Sequence, residues 1–316
     1  MWLLHYLSAA WLLLSAIEPT TATPIEVQVP ESGDAGPELD LRNFQNIDPD
    51  FSLDPHFGTD RIKGLHAYMN TVKACQELAL LDYNGRQLER DYQYEPWNEV
   101  KIHIRGYPTP SIGRKYALWG LLTSIGALSR RPPFVSGHFD LVKAEQIVGT
   151  IYYDGPNTPL AAPPINASQP IGNHDSAGPD SSLYTPTNYK RAPPDREGQL
   201  ELVPWWYEEP VLIRNFFLAA VGGIITAASY DLDAEVKAFV VNIQAFHAQV
   251  WVERPEEPTD PPMRYRDAIN ALVILIERAL ADNKFNEVGA EVWWTVGDKR
   301  DYIGRLWVSN VDGGQV

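Results

Sequence analysis

The sequence contains very little cysteine: Cys75 is the only one in 316 residues. An intramolecular disulfide is therefore excluded, and the fold must be held together by a hydrophobic core of sufficient size. Cys75 lies beside Ala74 and near Leu78 in a helical pattern, which predicts a buried, unreactive thiol. Pairing of this thiol with a second chain is the alternative.

Basic residues are also scarce. The chain has 26 Lys and Arg against 41 Asp and Glu, which gives a formal net charge of −15. Nucleic acids and anionic membrane surfaces both require a basic footprint on the protein that binds them. We therefore expect no nucleic-acid partner, whereas the charge itself favours solubility.

Apolar runs long enough to span a bilayer are lacking as well. The first run, Leu7 to Ile17, is short and is followed by small residues at 20–22. This arrangement predicts a secretory signal peptide over residues 1–22, a mature chain that starts at Thr23, and a secreted protein. The second run, Phe216 to Tyr230, is predicted to be a core helix, so we expect no stable membrane insertion.

Common signatures of catalysis and cofactor binding are missing. The sequence has no Gly-x-Ser-x-Gly elbow, no His-Glu-x-x-His motif, no phosphate loop and no dinucleotide fingerprint. We accordingly expect no cofactor and no resident metal, and the sequence favours a non-enzymatic protein over an enzyme.

What the chain does have is one pattern that occurs twice. Residues 110–131 predict a helix that leads into a hairpin over 134–153, and residues 262–282 predict a helix that leads into a hairpin over 287–309. Each half is predicted as helix, strand, helix and hairpin. Glycines pair between the hairpins as Gly137 with Gly289 and Gly149 with Gly304, at offsets of 152 and 155 residues. The interpretation is a tandem duplication of an α+β unit with antiparallel sheets and helices packed on one face.

Changes in amino-acid composition along the chain predict its division into segments. The predicted organisation is an extended leader over 23–60, a first α+β unit over 61–154, a Pro- and Ser-rich linker over 155–199 and a second α+β unit over 200–316. The linker carries a glycosylation acceptor at Asn166-Ala-Ser168. It also carries the dibasic pair Lys190-Arg191, which is either a kexin-type processing site or a pair of solvated charges.

The candidate polar site is small. His138 and Asp140 are two residues apart on one predicted strand and therefore share a face, with Lys143 or Glu145 in cross-strand reach. His103 lies on the polar face of a strand that could be its neighbour. Such a group could act in acid–base catalysis, bind a metal or simply be exposed strand polarity. His247, among apolar neighbours, is predicted to be a core histidine.

The second half is rich in aromatic residues. Trp205 and Trp206 are adjacent on a predicted strand, and so are Trp293 and Trp294. Neighbouring strand residues point to opposite faces, so one member of each pair is predicted to face outward. An exposed tryptophan is a platform for a sugar ring or a partner protein, and core packing is the alternative.

The sequence pattern near the C-terminus resembles that of a known group of proteins. A Leu- and Ile-rich helix, then Val288-Gly-Ala-Glu-Val292, then Ile303-Gly-Arg-Leu306 resembles modules in uncharacterised secreted proteins of filamentous fungi. The resemblance covers roughly residues 231–308. It implies secretion and fungal lineage and carries no catalytic residues.

Three functional hypotheses follow. The first is a secreted, non-enzymatic binding or effector-like module for a partner protein or a glycan. The second is a secreted hydrolase with an acid–base site around His103, His138 and Asp140. The third is a precursor or accessory protein that is matured at Lys190-Arg191.

Overall fold

The computed structural model describes residues 48–155 and 198–311. The predicted signal peptide, most of the predicted leader, Asn166 and Lys190-Arg191 lie outside the described residues. The predictions made for them remain predictions.

The elements of the first half are β1 (Phe51–Arg61), α1 (Gly64–Ala79), β2 (Arg86–Leu88), β3 (Arg90–Tyr92), β4 (Lys101–Gly106), β5 (Ser111–Gly113), α2 (Arg114–Ser129), β6 (Val135–Lys143) and β7 (Gln146–Asp154). Those of the second half are β8 (Gln199–Pro210), α3 (Ile213–Ala228), β9 (Phe239–Ile243), a 3₁₀ turn (Gln244–Phe246), β10 (Ala248–Glu253), α4 (Tyr265–Ala281), β11 (Asn286–Val296) and β12 (Lys299–Asn310).

The two halves have the same sheet topology. The first sheet has five strands in the order β1-β6-β7-β4-β3, and the second has five in the order β8-β11-β12-β10-β9. Every pairing in both sheets is antiparallel. Strands β1, β6, β7, β4 and β3 of the first sheet thus correspond in position to β8, β11, β12, β10 and β9 of the second. The predicted α+β class with two similar units is therefore confirmed; β2 and β5 form a separate two-stranded sheet.

The helices form the interior and the sheets lie outside them. Helix α2 packs on β1, β6 and β7, and α1 packs on β4; in the second half, α3 packs on β9, β10 and β12, and α4 packs on β8. The helices of one half also pack against those of the other, α1 against α3 and α4, and α2 against α3. Each sheet therefore turns one face to the helices and leaves an outer face.

Helix α3 is buried around almost its whole circumference. All of its residues from Asn215 to Ala228 except Thr226 are buried, as expected for a helix covered by a sheet on one side and by other helices elsewhere. The predicted core helix is confirmed. Among the described residues, no helix combines the length and apolar character needed to cross a membrane.

The two halves share one core. The ring of Tyr68 in α1 stacks on that of Phe217 in α3, with centroids 4.8 Å apart, and Phe217 also contacts Phe285. Gln76 of α1 also donates a hydrogen bond of 2.9 Å to Asn270 of α4, which joins the two halves. The described residues accordingly belong to one compact unit rather than two independent ones.

Gly149 and Gly304 occupy equivalent positions. Each pairs with the last residue before a β-bulge in the neighbouring strand, Leu141 for Gly149 and Val292 for Gly304. Counting four residues back from this anchor aligns Gly137 with Val288, not with Gly289. The pairing of Gly137 with Gly289 inferred from sequence is therefore wrong by one position, and these two glycines face opposite sides of their sheets.

We expect Gly304→Ala to lower the free energy of unfolding by about 1–3 kcal/mol, because the added methyl group overpacks the core. A Cβ at this position would lie 2.4 Å from the Met263 sulfur and 2.9 Å from the backbone oxygen of Glu253. The sulfur can move, whereas the strand carbonyl cannot. Urea denaturation measures the effect, and Lys299→Ala, at an exposed position of the same strand, should change stability by less than about 0.5 kcal/mol. Equal stability of the two variants would contradict the packing described here.

One predicted boundary is wrong. Residues 51–60 were assigned to the leader but belong to strand β1, whose residues are mostly exposed. An edge strand with so few buried positions lacks the apolar alternation by which strands are recognised. Residues 239–253 form β9, a 3₁₀ turn and β10 rather than one continuous strand, and β9 is an edge strand. The turn ends at His247 in the left-handed conformation (φ 47°), which reverses the chain.

Candidate functional site

The two outer faces carry different chemistry on the same row of the fold. The registers connect one row across the first sheet and its counterpart across the second. The row of the first sheet contains His56, His138, Tyr152, His103 and Asp91. The row of the second sheet contains Trp205, Gly289, Trp307, Trp251 and Val240. We call these surfaces the histidine face and the tryptophan face.

On the histidine face, three potential ligands converge. His56 of β1 is directly opposite His138 of β6, and their rings stack with centroids 4.5 Å apart and 16° between their planes. The Nε2 atom of His56 lies 3.6 Å from the Oδ2 atom of Asp140. One ligand atom from each of the three residues lies within 4.8 Å of the others. A single cation could therefore contact all three.

The surroundings of this cluster hold it in place. Asp140 is only 5% exposed and accepts a hydrogen bond of 2.8 Å from the hydroxyl group of Thr150. His138 lies between the ring of His56 and that of Tyr152, the latter at 5.7 Å. Burial, and to a lesser degree the neighbouring His56, lowers the pKa of His138 below its usual value, which favours the neutral imidazole.

His103 lies on the same face beyond Tyr152. It is 2% exposed, its Nδ1 atom is 2.5 Å from a carboxylate oxygen of Asp91, and its Nε2 atom is 3.9 Å from Asp154. Burial raises the pKa of Asp154, whose Oδ2 atom has no hydrogen-bond partner. His103, His138 and Asp140 thus share one face, but His103 is engaged with its own carboxylates rather than with the other two.

The cross-strand partners predicted for His138 are wrong. Lys143 instead binds Asp48 at 2.7 Å and Asp50 at 2.9 Å, beside the start of β1. These contacts, with Tyr116 and Lys115, hold the pKa of Asp48 well below its usual value. Glu145 lies in the hairpin turn with a positive φ of 64°. Both residues lie toward the turn, away from the position opposite His138.

His56 is the functional candidate that sequence analysis missed. It lies in β1, which was assigned to the leader, and neither its spacing nor its neighbours connect it with residue 138. Only the pairing of β1 with β6 brings the two rings together.

The tryptophan face presents aromatic rings to solvent. Trp307 contacts Trp205 on one side, with ring centroids 5.9 Å apart, and Trp251 on the other, at 5.8 Å. Trp251 remains 43% exposed. Gly289 makes the row continuous, because a Cβ at this position would lie 2.2 Å from the ring of Trp205.

A shallow cavity opens on this face. Its volume is about 260 Å³, and its lining includes Tyr207, Trp251, Trp307, Gln249 and Glu287. Gln249 donates a hydrogen bond of 2.9 Å to Ser309 in the lining, so polar groups border the aromatic rings.

Of the four predicted binding tryptophans, one of each pair faces outward. Trp205 belongs to the tryptophan face, whereas Trp206 and Trp294 pack against the core. Trp293 also faces outward, where its ring contacts Tyr302 at 5.5 Å and its Nε1 atom donates to Glu291.

Trp251 and Trp307 were not selected from the sequence as site residues. The signal that could have found them is alternation: each stands between polar residues two positions away on its own strand, Gln249 and Glu253 for Trp251, Arg305 and Ser309 for Trp307. The core histidine predicted at His247 is wrong, because that residue is exposed. The buried thiol of Cys75 is confirmed, and burial raises its pKa.

Comparisons with known proteins add little. No family model matches the chain, and no curated protein matches it. Among solved structures, it is similar to the tandem DUF26 ectodomain of the cysteine-rich receptor-like protein PDLP8 from Arabidopsis thaliana, with 8% sequence identity over 81% of this chain and 96% of that chain and a TM-score of 0.22. A similarity at this TM-score supports no conclusion about fold or function.

Proposed function

We propose that this protein is a secreted, non-enzymatic binding module and that its tryptophan face docks a protein partner. The observation that carries the proposal is the row Trp205–Trp307–Trp251 on the outer face of the second sheet, in which Trp251 is exposed and the other two rings are half-buried. Tryptophan is enriched among the residues that contribute most to protein–protein binding, because a large ring buries much apolar area with little loss of conformational freedom.

The residues around the row favour a protein over a sugar. Val203, Tyr207 and Val240 surround the tryptophans and are 41%, 45% and 49% exposed. Aliphatic side chains add apolar area to a protein interface, whereas a sugar is recognised by a ring face together with hydrogen-bonding groups. Ion pairs stand at the border, Arg300 with Glu201 at 3.1 Å and Arg305 with Glu253 at 3.8 Å. An apolar centre with a charged rim is the usual composition of a protein interface.

Support for secretion comes from the sequence. The apolar run before Thr23, the acceptor Asn166-Ala-Ser168 and the resemblance to secreted proteins of filamentous fungi all favour an extracellular protein. Recovery of the chain from culture medium with its N-terminus at Thr23 is the measurement that checks this part of the proposal.

The docking proposal predicts that Trp251→Ala weakens partner binding by about 30-fold, which corresponds to a hot-spot loss of about 2 kcal/mol. A photo-crosslinking residue at position 240, at the edge of the patch, identifies the partner in culture, and calorimetry with the purified partner then measures affinity. Tyr107→Ala is the matched control, because Tyr107 is 42% exposed and lies in the other half. This control should bind like the wild type.

Three outcomes would reject a separate protein partner. Unchanged affinity in Trp251→Ala would remove the tryptophan face from the interface. Binding to a glycan array that is lost in this variant would identify a sugar site instead. A dimer in sedimentation that Trp251→Ala dissociates would identify the occupant as a second copy of the chain.

A further inference from the structure

We propose that His56, His138 and Asp140 form a binding site for a divalent transition-metal ion of the Zn²⁺ class. The site lies on the histidine face and is independent of the docking proposed for the tryptophan face. The two sites occupy corresponding rows of the two halves, so that the same scaffold would present a metal on one side and an aromatic patch on the other.

The distances suit a single ion. Zinc is bound at about 2.0–2.2 Å by imidazole nitrogen and carboxylate oxygen, so two ligand atoms in a tetrahedral site lie roughly 3–4 Å apart. The Nε2 atom of His56 and the Oδ2 atom of Asp140 are already 3.6 Å apart. All three residues offer ligand atoms within 4.8 Å of one another, a separation that small side-chain rotations can close.

The ligands stand on paired strands rather than on a loop. His56 and His138 are directly opposite each other in the β1–β6 ladder, and Asp140 follows His138 on the same face. Residues in this relation are held a few ångströms apart by the backbone hydrogen bonds. Ligand positions fixed in this way lower the entropic cost of binding an ion.

The second coordination shell is present as well. The hydroxyl group of Thr150 donates 2.8 Å to one oxygen of Asp140, which leaves the other oxygen directed at His56. Partners of this kind orient metal-binding carboxylates, and their loss typically costs roughly 10–100-fold in metal affinity. Tyr152 limits the movement of the His138 ring by packing beside it.

The negative charge around the cluster favours the binding of a cation. Asp54 is directly opposite Asp140 in the ladder, and its carboxylate lies 3.4 Å from the Nε2 atom of His56. Two carboxylates therefore flank two imidazoles on an outer face of a chain whose net charge is −15. Asp54 is exposed and can approach an ion bound by the other three residues as a fourth ligand.

The ligand set selects the class of metal. Two imidazoles with a carboxylate suit Zn²⁺, Co²⁺, Ni²⁺ or Cu²⁺, whereas Ca²⁺ and Mg²⁺ prefer oxygen ligands throughout. We therefore expect Zn²⁺ to bind in the presence of excess Mg²⁺, with Co²⁺ as a spectroscopic substitute.

The test is titration of the full, untagged chain with Zn²⁺ after chelator treatment and dialysis. We expect one tight site per chain, and Co²⁺ at the same site should give visible d–d absorption. His56→Asn should weaken Zn²⁺ binding at least tenfold, and it should fold normally because the His56 side chain is 44% exposed. Thr150→Val, which removes the hydrogen bond to Asp140, should weaken binding by about tenfold.

Two controls separate this site from other histidines. His247→Asn removes an exposed histidine at a left-handed position that asparagine tolerates, and His174→Asn removes a histidine outside the described residues. Both should bind Zn²⁺ like the wild type. The proposal is overturned if His56→Asn retains full affinity, or if the wild type binds no Zn²⁺ at micromolar concentration.

Discussion

Replacing Phe217 with alanine is expected to lower the free energy of unfolding by about 3–5 kcal/mol, the usual cost of removing a fully buried phenylalanine ring. Phe217 is 0% exposed and lies where the two halves meet, stacked on Tyr68 of the first half and in contact with Phe285 of the second. Burial raises the pKa of Tyr68, so the hydroxyl group beside this contact stays neutral. The cavity left by the substitution cannot close without moving both halves.

Because the halves share this contact, we expect the variant to unfold in one transition, like the wild type. Urea denaturation followed by tryptophan fluorescence and by far-ultraviolet circular dichroism measures the free energy of unfolding and the number of transitions. The two probes should give the same midpoint. Leu212→Ala is the control: Leu212 immediately precedes the same helix but is 53% exposed, so a change below about 0.5 kcal/mol is expected. Separate midpoints for the two probes in the wild type would show that the halves unfold independently.

The second large effect is expected for Gly289→Val, which should reduce affinity for the protein partner by more than about 100-fold, equivalent to about 2.7 kcal/mol. A Cβ at this position would lie 2.2 Å from the ring of Trp205, so the ring must leave its place over the strand. Trp205 would then lose its edge-to-face contact with Trp307. Since the atom displaced is the end of a side chain, the strand pairing itself should survive.

Gly289→Val should therefore lose much of its affinity for the partner and little of its stability. Calorimetry with the purified partner measures the first, and urea denaturation should show a loss of no more than about 1–3 kcal/mol, as for other overpacked sites. Thr295→Val is the matched control, because it places the same side chain on the same outer face of β11, and the Thr295 hydroxyl has no hydrogen-bond partner to lose. Wild-type affinity in Gly289→Val would contradict the proposed role of the tryptophan row.

Two units of the same sheet topology can carry different chemistry in one chain. The helices and the inner faces of both sheets share the same apolar requirements, so they are constrained by packing. The outer faces are not packed against the helices and can hold polar as well as aromatic side chains. At equivalent positions one face therefore has His138 where the other has Gly289, and Tyr152 where the other has Trp307.

Much of the architecture could be predicted because it depends on local periodicity. Helix α4 and the hairpins that follow α2 and α4 have apolar residues at the spacing of their own element, and the turns carry residues suited to turns. The antiparallel α+β class follows from these elements and their order. Buried Cys75 could be predicted for the same reason.

The helices, the hairpins and the presence of two similar units could be predicted from the sequence, whereas the residues that share a surface depend on the tertiary structure. His56 meets His138 only because β1 pairs with β6, and nothing local in a mostly exposed edge strand indicates that pairing. Likewise, the correspondence of Gly289 with His138 depends on a register in which a shift of one residue exchanges the inner and outer faces. Local sequence fixes the period of a strand, but the packing of the whole core fixes its register, and both candidate sites depend on register.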